Sequence, residues 1–289
     1  MKQCPACGQR FQGPAWQCPG CRYMPEERDG ILVFSNGQAD GDAGYDPDFF
    51  SQMAEIEKGN FWFEARNRLI SWALQRYFKG CRSFFEIGCG TGFVLSGLTR
   101  DCPRVALSAG DVFEEALDFA KRRNPTATLY QVDALELPFD DEFDVMGAFD
   151  VLEHVHADGD VIRQMYKAAK QGGGLLLTVP QHPGLWSSVD DISRHHRRYG
   201  RRELMDKVRR AGFHILFVTS FVSFLFPFLW VSRRMRSGSV DQGESMAEYA
   251  LANPLNRLLL HISCAEQAFI RQGRSLPFGG SLLLVAKKI

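Results

Sequence analysis

A chain of 289 residues, 45% apolar and 24% charged, has room for one full α/β domain plus a small accessory unit, in the composition range of ordinary globular proteins. Lysine plus arginine and aspartate plus glutamate both number 34, so the net charge is zero, which excludes a protein whose main task is to cover nucleic-acid phosphates. The opening residues MKQCPACG hold no apolar signal-peptide core, and four of the eight cysteines form two C-x-x-C pairs. A reducing, cytoplasmic setting is expected, with metal rather than disulfides in the pairs.

The first element in chain order is that cysteine unit, residues 1–34. Cys4, Cys7, Cys18 and Cys21 have the spacing of a zinc ribbon, in which two knuckles present four thiolates to a tetrahedral, structural Zn²⁺. A unit of about thirty residues has too small a core to fold without such a staple. The apolar run Ile31–Phe34 is expected to close the ribbon with a strand. Its few basic residues, Lys2, Arg10 and Arg22, favour a structural role over nucleic-acid binding. Residues 35–59 read as linker and helix, with the Gly/Asp-rich stretch Ser35–Asp48 as the linker.

Residues 60–289 read as a second domain. Asn60–Phe78 is an amphipathic helix, apolar at Phe61, Leu69, Trp72, Ala73 and Phe78 and polar at Glu64, Arg66, Arg68 and Arg76. Strands and helices then alternate: strand Ser83–Ile87, helix Phe93–Thr99, strand Val105–Ala109, helix Glu114–Arg123, strand Thr128–Val132, strand Phe143–Phe149, helix Val161–Lys170 and strand Leu175–Val179. Helix Arg202–Ala211, strand Phe213–Val218, a helical insert at 221–275 that includes helix Asn256–Ile270, and strand Ser281–Ala286 complete the pattern. Such alternation predicts an α/β fold: a doubly wound, mostly parallel sheet with helices on both faces, whose ligands sit beyond the carboxyl ends of the strands.

The segment Phe84–Leu95, FFEIGCGTGFVL, turns from an apolar strand into Glu86 and then Gly88, Gly90 and Gly92. Backbone N–H groups and a helix N-terminus placed there suit a nucleotide-like ligand, but the G-x-G-x-x-G of dinucleotide sites is missing, because Phe93 follows Gly92. The pattern E-x-G-x-G-x-G resembles the first motif of class I S-adenosylmethionine-dependent methyltransferases. FWFEARNRLI, FDVLEHV, VPQHPGLWS and HHRRYGRRELMDKVRRAGF resemble a subgroup acting on small molecules. The resemblance implies a seven-stranded Rossmann-like sheet whose last strand is antiparallel. Asp111, with Val112 beside it, follows the second strand, where a carboxylate accepts from ribose hydroxyls. By resemblance, Asp133 and the Ala134 N–H take the adenine, and Phe149 and Asp150 end the fourth strand beside the cofactor.

On the acceptor side, in-line placement of the activated methyl and removal of a proton are all the chemistry requires. His154 or His196 is the expected base, with Tyr199 or Arg197 orienting the acceptor, while His182 and His195 are further imidazoles nearby. The resemblance also implies a second reading, a divalent cation on Asp150, Glu153 and His154. The apolar run Phe213–Trp230, followed by Arg233, Arg234 and Arg236, is too short beyond its strand to span a bilayer; it reads as a pocket lid or as an interfacial helix touching a membrane through 221–236. The expected function is methyl transfer from S-adenosylmethionine to the oxygen of a small-molecule or lipid-linked acceptor. An RNA base methyltransferase and a non-catalytic cofactor-binding module are the alternatives, and nucleic acid is not an expected partner.

Overall fold

The computed structural model describes residues 1–13, 15–35, 49–235 and 253–289. Most of the expected linker, Arg236 and the middle of the insert lie outside these residues. The seven expected strands are all present: β5 (Ser83–Ile87), β6 (Ala106–Asp111), β7 (Thr128–Gln131), β8 (Phe143–Phe149), β9 (Ala169–Pro180), β10 (Phe213–Phe221) and β11 (Ser281–Lys288). They lie in the order β10-β11-β9-β8-β5-β6-β7, with β11 antiparallel to both its neighbours and the other pairings parallel. The chain leaves β5 in both directions across the sheet, so a crevice opens where β5 meets β8.

Helices α2 (Phe61–Tyr77), α3 (Phe93–Asp101), α4 (Glu114–Arg123), α5 (Asp158–Ala168) and α7 (Arg201–Arg210) flank the sheet. Asn60 caps α2, its side-chain oxygen accepting from the Trp62 N–H at 2.9 Å. The centre of the sheet is apolar on both faces, as buried parallel strands require: Phe84, Phe85, Val145, Met146, Leu175, Leu176 and Leu177 are all fully buried. A short helix α1 (Phe49–Glu57) precedes α2, α6 (Ser188–Ile192) lies before α7, and α8 (Phe226–Met235) and α9 (Asn253–Arg271) form the described parts of the insert. Among the described residues no helix is long and apolar enough to cross a membrane.

Two expectations change. The helix expected to run to Lys170 ends at Ala168, and β9 begins at Ala169. The cause lies in the glycines: pairing of β9 with β8 jumps from Phe143↔Ala169 to Val145↔Gly174, looping out Lys170–Gly173 as an irregularity that Gly172 turns at φ +76°. The run Ile31–Phe34 does form a strand, β4 (Ile31–Val33), but it does not close the ribbon upon itself. It pairs parallel with β7 and carries β3 (Glu26–Arg28) at its outer edge, so the sheet has nine strands. The small hairpin of β1 (Lys2–Gln3) and β2 (Arg10–Phe11) stands apart from that sheet.

Candidate active site

The glycine turn after β5 sets the geometry of the crevice. Gly88, Gly90 and Gly92 have φ values of +62°, +51° and +73°, a region closed to most side chains. A Cβ at Gly92 would lie 2.8 Å from the Cα of Ala120, which lets α3 and α4 approach each other; a Cβ at Gly90 would meet nothing within 4 Å and would project into open space. Asp111 secures the turn from the end of β6, its carboxylate accepting from the Gly90 N–H at 2.8 Å and the Phe113 N–H at 3.1 Å.

The cleft beyond this turn is lined by Glu57, Arg66, Glu86, Gly90, Thr91 and Phe149, with Phe49, Phe50 and Met53 of α1 across its mouth. Of the expected cofactor residues, Glu86, Gly88, Gly90 and Phe149 line it directly. Gly92, Asp111 and Asp150 bond to lining residues: the Gly92 N–H donates to the Cys89 carbonyl, and the two carboxylates accept from the Gly90 N–H and from Arg66. Asp133 stands at the end of β7, its carboxylate accepting from the Leu135 N–H at 2.8 Å; Val112 gives its carbonyl to Gln131, and Ala134 packs against the core.

Two buried residues of the cleft each keep one polar atom without a hydrogen bond. Glu86 is 2% exposed, and its Oε2 has no hydrogen bond; desolvation holds its carboxyl well above the usual range, with Asp111 and Glu57 adding to the effect and Arg66 opposing it. Arg66 is 7% exposed, donates through Nη1 to Asp150, stacks over Trp62 at 4.6 Å, and leaves its Nε unsatisfied. A buried carboxyl beside a buried guanidinium can take the ammonium and carboxylate of an amino acid. Asp150 itself adopts φ +57°, a strained conformation at a strand end, and also accepts from Thr178 at 3.1 Å.

Sequence reasoning missed the residues that close the cleft. Glu57 of α1 accepts from the Thr91 hydroxyl at 2.6 Å and from Arg123 at 2.7 Å, and Arg123 also donates to Thr91 at 2.8 Å. This triangle pins α1 over the glycine turn. Its sequence signal is faint, since Glu57 and Arg123 lie far apart in the chain.

The acceptor side follows β8. His154 is largely buried in the turn Leu152–His154, and burial, with His195 and His196 adding to it, lowers its pKa to about 3, so the imidazole is neutral. Its ring meets that of His195 at 4.7 Å, and His196 stacks on His156 at 3.5 Å. His182 lies apart, its ring 5.4 Å from that of Phe226. Tyr199 is not beside them as an acceptor-orienting group: it is fully buried, and its hydroxyl donates to Asp158 at 2.6 Å. Arg197 likewise turns to Asp158, at 3.1 Å. The carboxylate–imidazole cluster differs from the expected one, for Asp150 is engaged by Arg66 and Thr178, and His195 joins Glu153 and His154 instead, the potential ligand atoms of the three lying within 4.8 Å of one another. His195 is oriented by Asp190, 2.8 Å from its Nδ1, and neither carboxylate oxygen of the fully buried Glu153 has a hydrogen-bond partner.

At the N-terminus the four expected cysteines converge, Cys4 to Cys21 at 3.5 Å and Cys7 to Cys18 at 3.6 Å between sulfurs, all four within 4.8 Å. Tetrahedral Zn–S bonds of about 2.3 Å put sulfurs about 3.8 Å apart, so the donor set fits the ion.

Residues 85–177 match the family model described as a methyltransferase domain. A probable S-adenosylmethionine-dependent methyltransferase of Mycolicibacterium smegmatis is 26% identical over 165 residues, 55% of this chain and 62% of that protein. A malonyl-[acyl-carrier protein] O-methyltransferase of Priestia megaterium is 25% identical over 132 residues, 45% of this chain and 46% of that one. The chain thus spans less than two thirds of the length of these relatives. Among solved structures, the [4+2]-cyclase SpnF superposes with a TM-score of 0.53 at 23% identity, covering 78% of this chain and 83% of its own. That likeness is one of fold, and one fold serves many chemistries. The matched segment carries the strand, the glycine turn and the acids that surround the cleft; over residues 85–177 the chain is similar to methyltransferase domains, and its fold is the Rossmann-like methyltransferase fold.

Proposed function

We propose that the protein transfers the methyl group of S-adenosylmethionine to an oxygen of a small-molecule or lipid-linked acceptor. The observation that carries this reading is that two residues lining one cleft beside a glycine turn, Glu86 and Arg66, each hold a buried polar atom without a hydrogen bond, Oε2 and Nε. Glu86 takes the ammonium of the cofactor and Arg66 its carboxylate, Asp111 the ribose hydroxyls, and Asp133 with the Ala134 N–H the adenine. Asp111 would then exchange its present hydrogen bonds in part for the ribose. The acceptor oxygen attacks the methyl carbon in line with the C–S bond; the C–O bond forms, the C–S bond breaks, the sulfonium becomes a neutral sulfide, and the hydroxyl proton passes to the exposed His196, because His154, lowered to about 3, is too weak a base to take it. Zinc on Cys4, Cys7, Cys18 and Cys21 is structural, since four protein ligands leave it no open position. The similarity to an O-methyltransferase supports oxygen as the acceptor atom, and the zero net charge speaks against RNA.

Glu153 favours a second reading of the acceptor side. A buried carboxylate with two unpartnered oxygens beside His154 and His195 suits a divalent first-row cation that would grip acceptor oxygens, leaving His196 for the proton. One experiment tests both readings: calorimetry with S-adenosylmethionine, followed by methyl-transfer assays on fractionated cell extract with and without EDTA. Micromolar binding and label in the lipid or small-molecule fraction are expected, on the order of other cofactor sites. Absent binding would favour the non-catalytic module, label in RNA the nucleic-acid reading, and activity indifferent to EDTA would remove the cation.

A further inference from the structure

The N-terminal unit grips the segment that carries the proposed adenine contacts. That segment, residues 132–142, links β7 to β8 and carries Asp133 and Ala134 directly after its first residue, Val132. The β1–β2 hairpin holds its far end: the Gln3 N–H donates to the Pro138 carbonyl at 2.9 Å, the Asp140 N–H donates to the Met1 carbonyl at 2.8 Å, Lys2 bridges Phe139, and Arg10 pairs with the buried Asp140 at 2.7 Å. Strand β4 holds the near end. It runs beside β7, and the Phe34 N–H donates to the Gln131 carbonyl at 2.8 Å, two residues before Asp133. Between the two grips stands Trp16, 6% exposed, with its ring 4.5 Å from Phe34, 5.6 Å from Phe139 and 6.4 Å from Tyr130. Trp16 lies two residues before Cys18, in the span between the two cysteine pairs.

We infer that the cysteine unit is a positioning device for the adenine side of the cofactor site: metal held by the four cysteines fixes Trp16, the β1–β2 hairpin and strand β4, and these fix the segment bearing Asp133 and Ala134. The inference rests on the proposed cofactor reading and deepens it. The unit is stapled by metal because its own core is too small, and Trp16 ties it outward, packing on Phe11 and Phe34 within the unit and on Tyr130 and Phe139 of the neighbouring domain. Loss of the metal frees both grips together. The methionine end of the site, held by Glu86, Arg66 and the glycine turn, is built from other elements and is left in place.

The test separates the two ends of the ligand. Full-length protein, zinc-loaded or stripped by chelator under reducing conditions, is titrated calorimetrically with 5′-methylthioadenosine, which lacks the amino-acid end, and with S-adenosylhomocysteine. Stripping is expected to weaken 5′-methylthioadenosine binding by about tenfold or more, and re-addition of zinc to restore it. Trp16→Leu should reproduce the loss in zinc-loaded protein; Arg10→Ala, which removes an exposed partner of Asp140, should give a smaller loss of about two- to threefold and serves if stripped protein or the tryptophan variant unfolds. Arg66→Gln, by contrast, should weaken S-adenosylhomocysteine but not 5′-methylthioadenosine. Unchanged 5′-methylthioadenosine affinity in folded, stripped protein, or in both variants, overturns the inference alone. No binding of either ligand by zinc-loaded protein overturns the cofactor reading, and the inference with it.

Discussion

Arg66 shows how one residue can be misplaced by a correct helix. Periodicity puts it on the polar face of α2 with Glu64 and Arg68, but α2 packs against the sheet on one side and α9 on another, and Phe63, Ala65, Arg66, Asn67, Leu69 and Ile70 are all buried. A single sequence reveals one apolar stripe; it does not reveal that a second, polar stripe will be enclosed around a ligand site. The enclosed guanidinium lines the cleft, with one arm on Asp150 and a buried, unsatisfied Nε, so its replacement should be felt chiefly by the proposed cofactor. Arg66→Gln is expected to raise the dissociation constant for S-adenosylhomocysteine about 10- to 100-fold, the worth of a charge-assisted, partly buried hydrogen-bond pair. Arg66→Lys should recover only part of the loss, because lysine keeps the charge without the planar fork. Calorimetry decides it; affinities within twofold of the parent for both variants would take Arg66 out of the site.

At the scale of elements, the strands were legible where their chemistry is local and illegible where their partner is remote. Phe143–Phe149 and Glu114–Arg123 have the bounds that their sequence pattern predicts. Ile31–Val33 is a strand as its β-branched and apolar run predicts, yet nothing in that run names β7 as its neighbour, since strand propensity describes a pleated, half-buried surface and not a pairing. Tyr199 was misread for a related reason: a tyrosine among histidines and arginines looks like site chemistry, but it serves to tie elements together. Asp158, the first residue of α5, accepts from Tyr199, from Lys207 of α7 and from Arg197, binding two helices and the segment between them. Burial alone would raise the Asp158 pKa, but hydrogen bonds from Lys207 and Tyr199 and the charges of Lys207 and Arg197 outweigh it and hold the carboxyl below the usual range. A carboxyl with a depressed folded-state pKa contributes stability that is complete above its unfolded value, near 3.9, and is lost as pH falls through the folded one. Asp158→Asn is therefore expected to destabilise the protein by about 2–4 kcal/mol at neutral pH, with the gap to the parent closing below about pH 4. Denaturant titrations at pH 7 and pH 3.5 measure both; an equal gap at the two values would show that charge is not what Asp158 supplies. Tyr199→Phe should shift stability in the same direction by less and leave turnover intact.

For the whole molecule, apolar surface is distributed unevenly around a neutral chain. Of eleven large apolar side chains that stand exposed among the described residues, seven lie between Phe224 and Phe278: Phe224, Phe228, Trp230, Val231, Leu255, Leu258 and Phe278. They belong to the loop after β10, to α8, to α9 and to the turn before β11, and Phe226 joins two of these regions by packing 5.7 Å from Phe278 and 5.4 Å from His182. His182 follows β9 at the carboxyl edge of the sheet, so this apolar region reaches toward the proposed acceptor side. We propose that it rests on a lipid surface from which a lipid-linked acceptor is drawn. A net charge of zero gives little long-range attraction to anionic headgroups beyond the local cluster Arg233, Arg234 and Arg236, so insertion of aromatic side chains has to supply most of the binding. Two consequences distinguish this from ordinary basic-patch adsorption. Flotation with liposomes should occur on neutral phosphatidylcholine as well as on anionic lipid and should persist in about 0.5 M salt, where the screening length falls to a few ångströms. Phe228→Asp together with Trp230→Asp should release the protein, because each replaces an exposed aromatic contact with a charge that stays in water, while S-adenosylhomocysteine affinity should be unchanged, since neither residue lines the cofactor cleft. Failure of the parent protein to float on either lipid would mean that the apolar region serves only as a cover for the acceptor, and the acceptor would then be sought among soluble molecules.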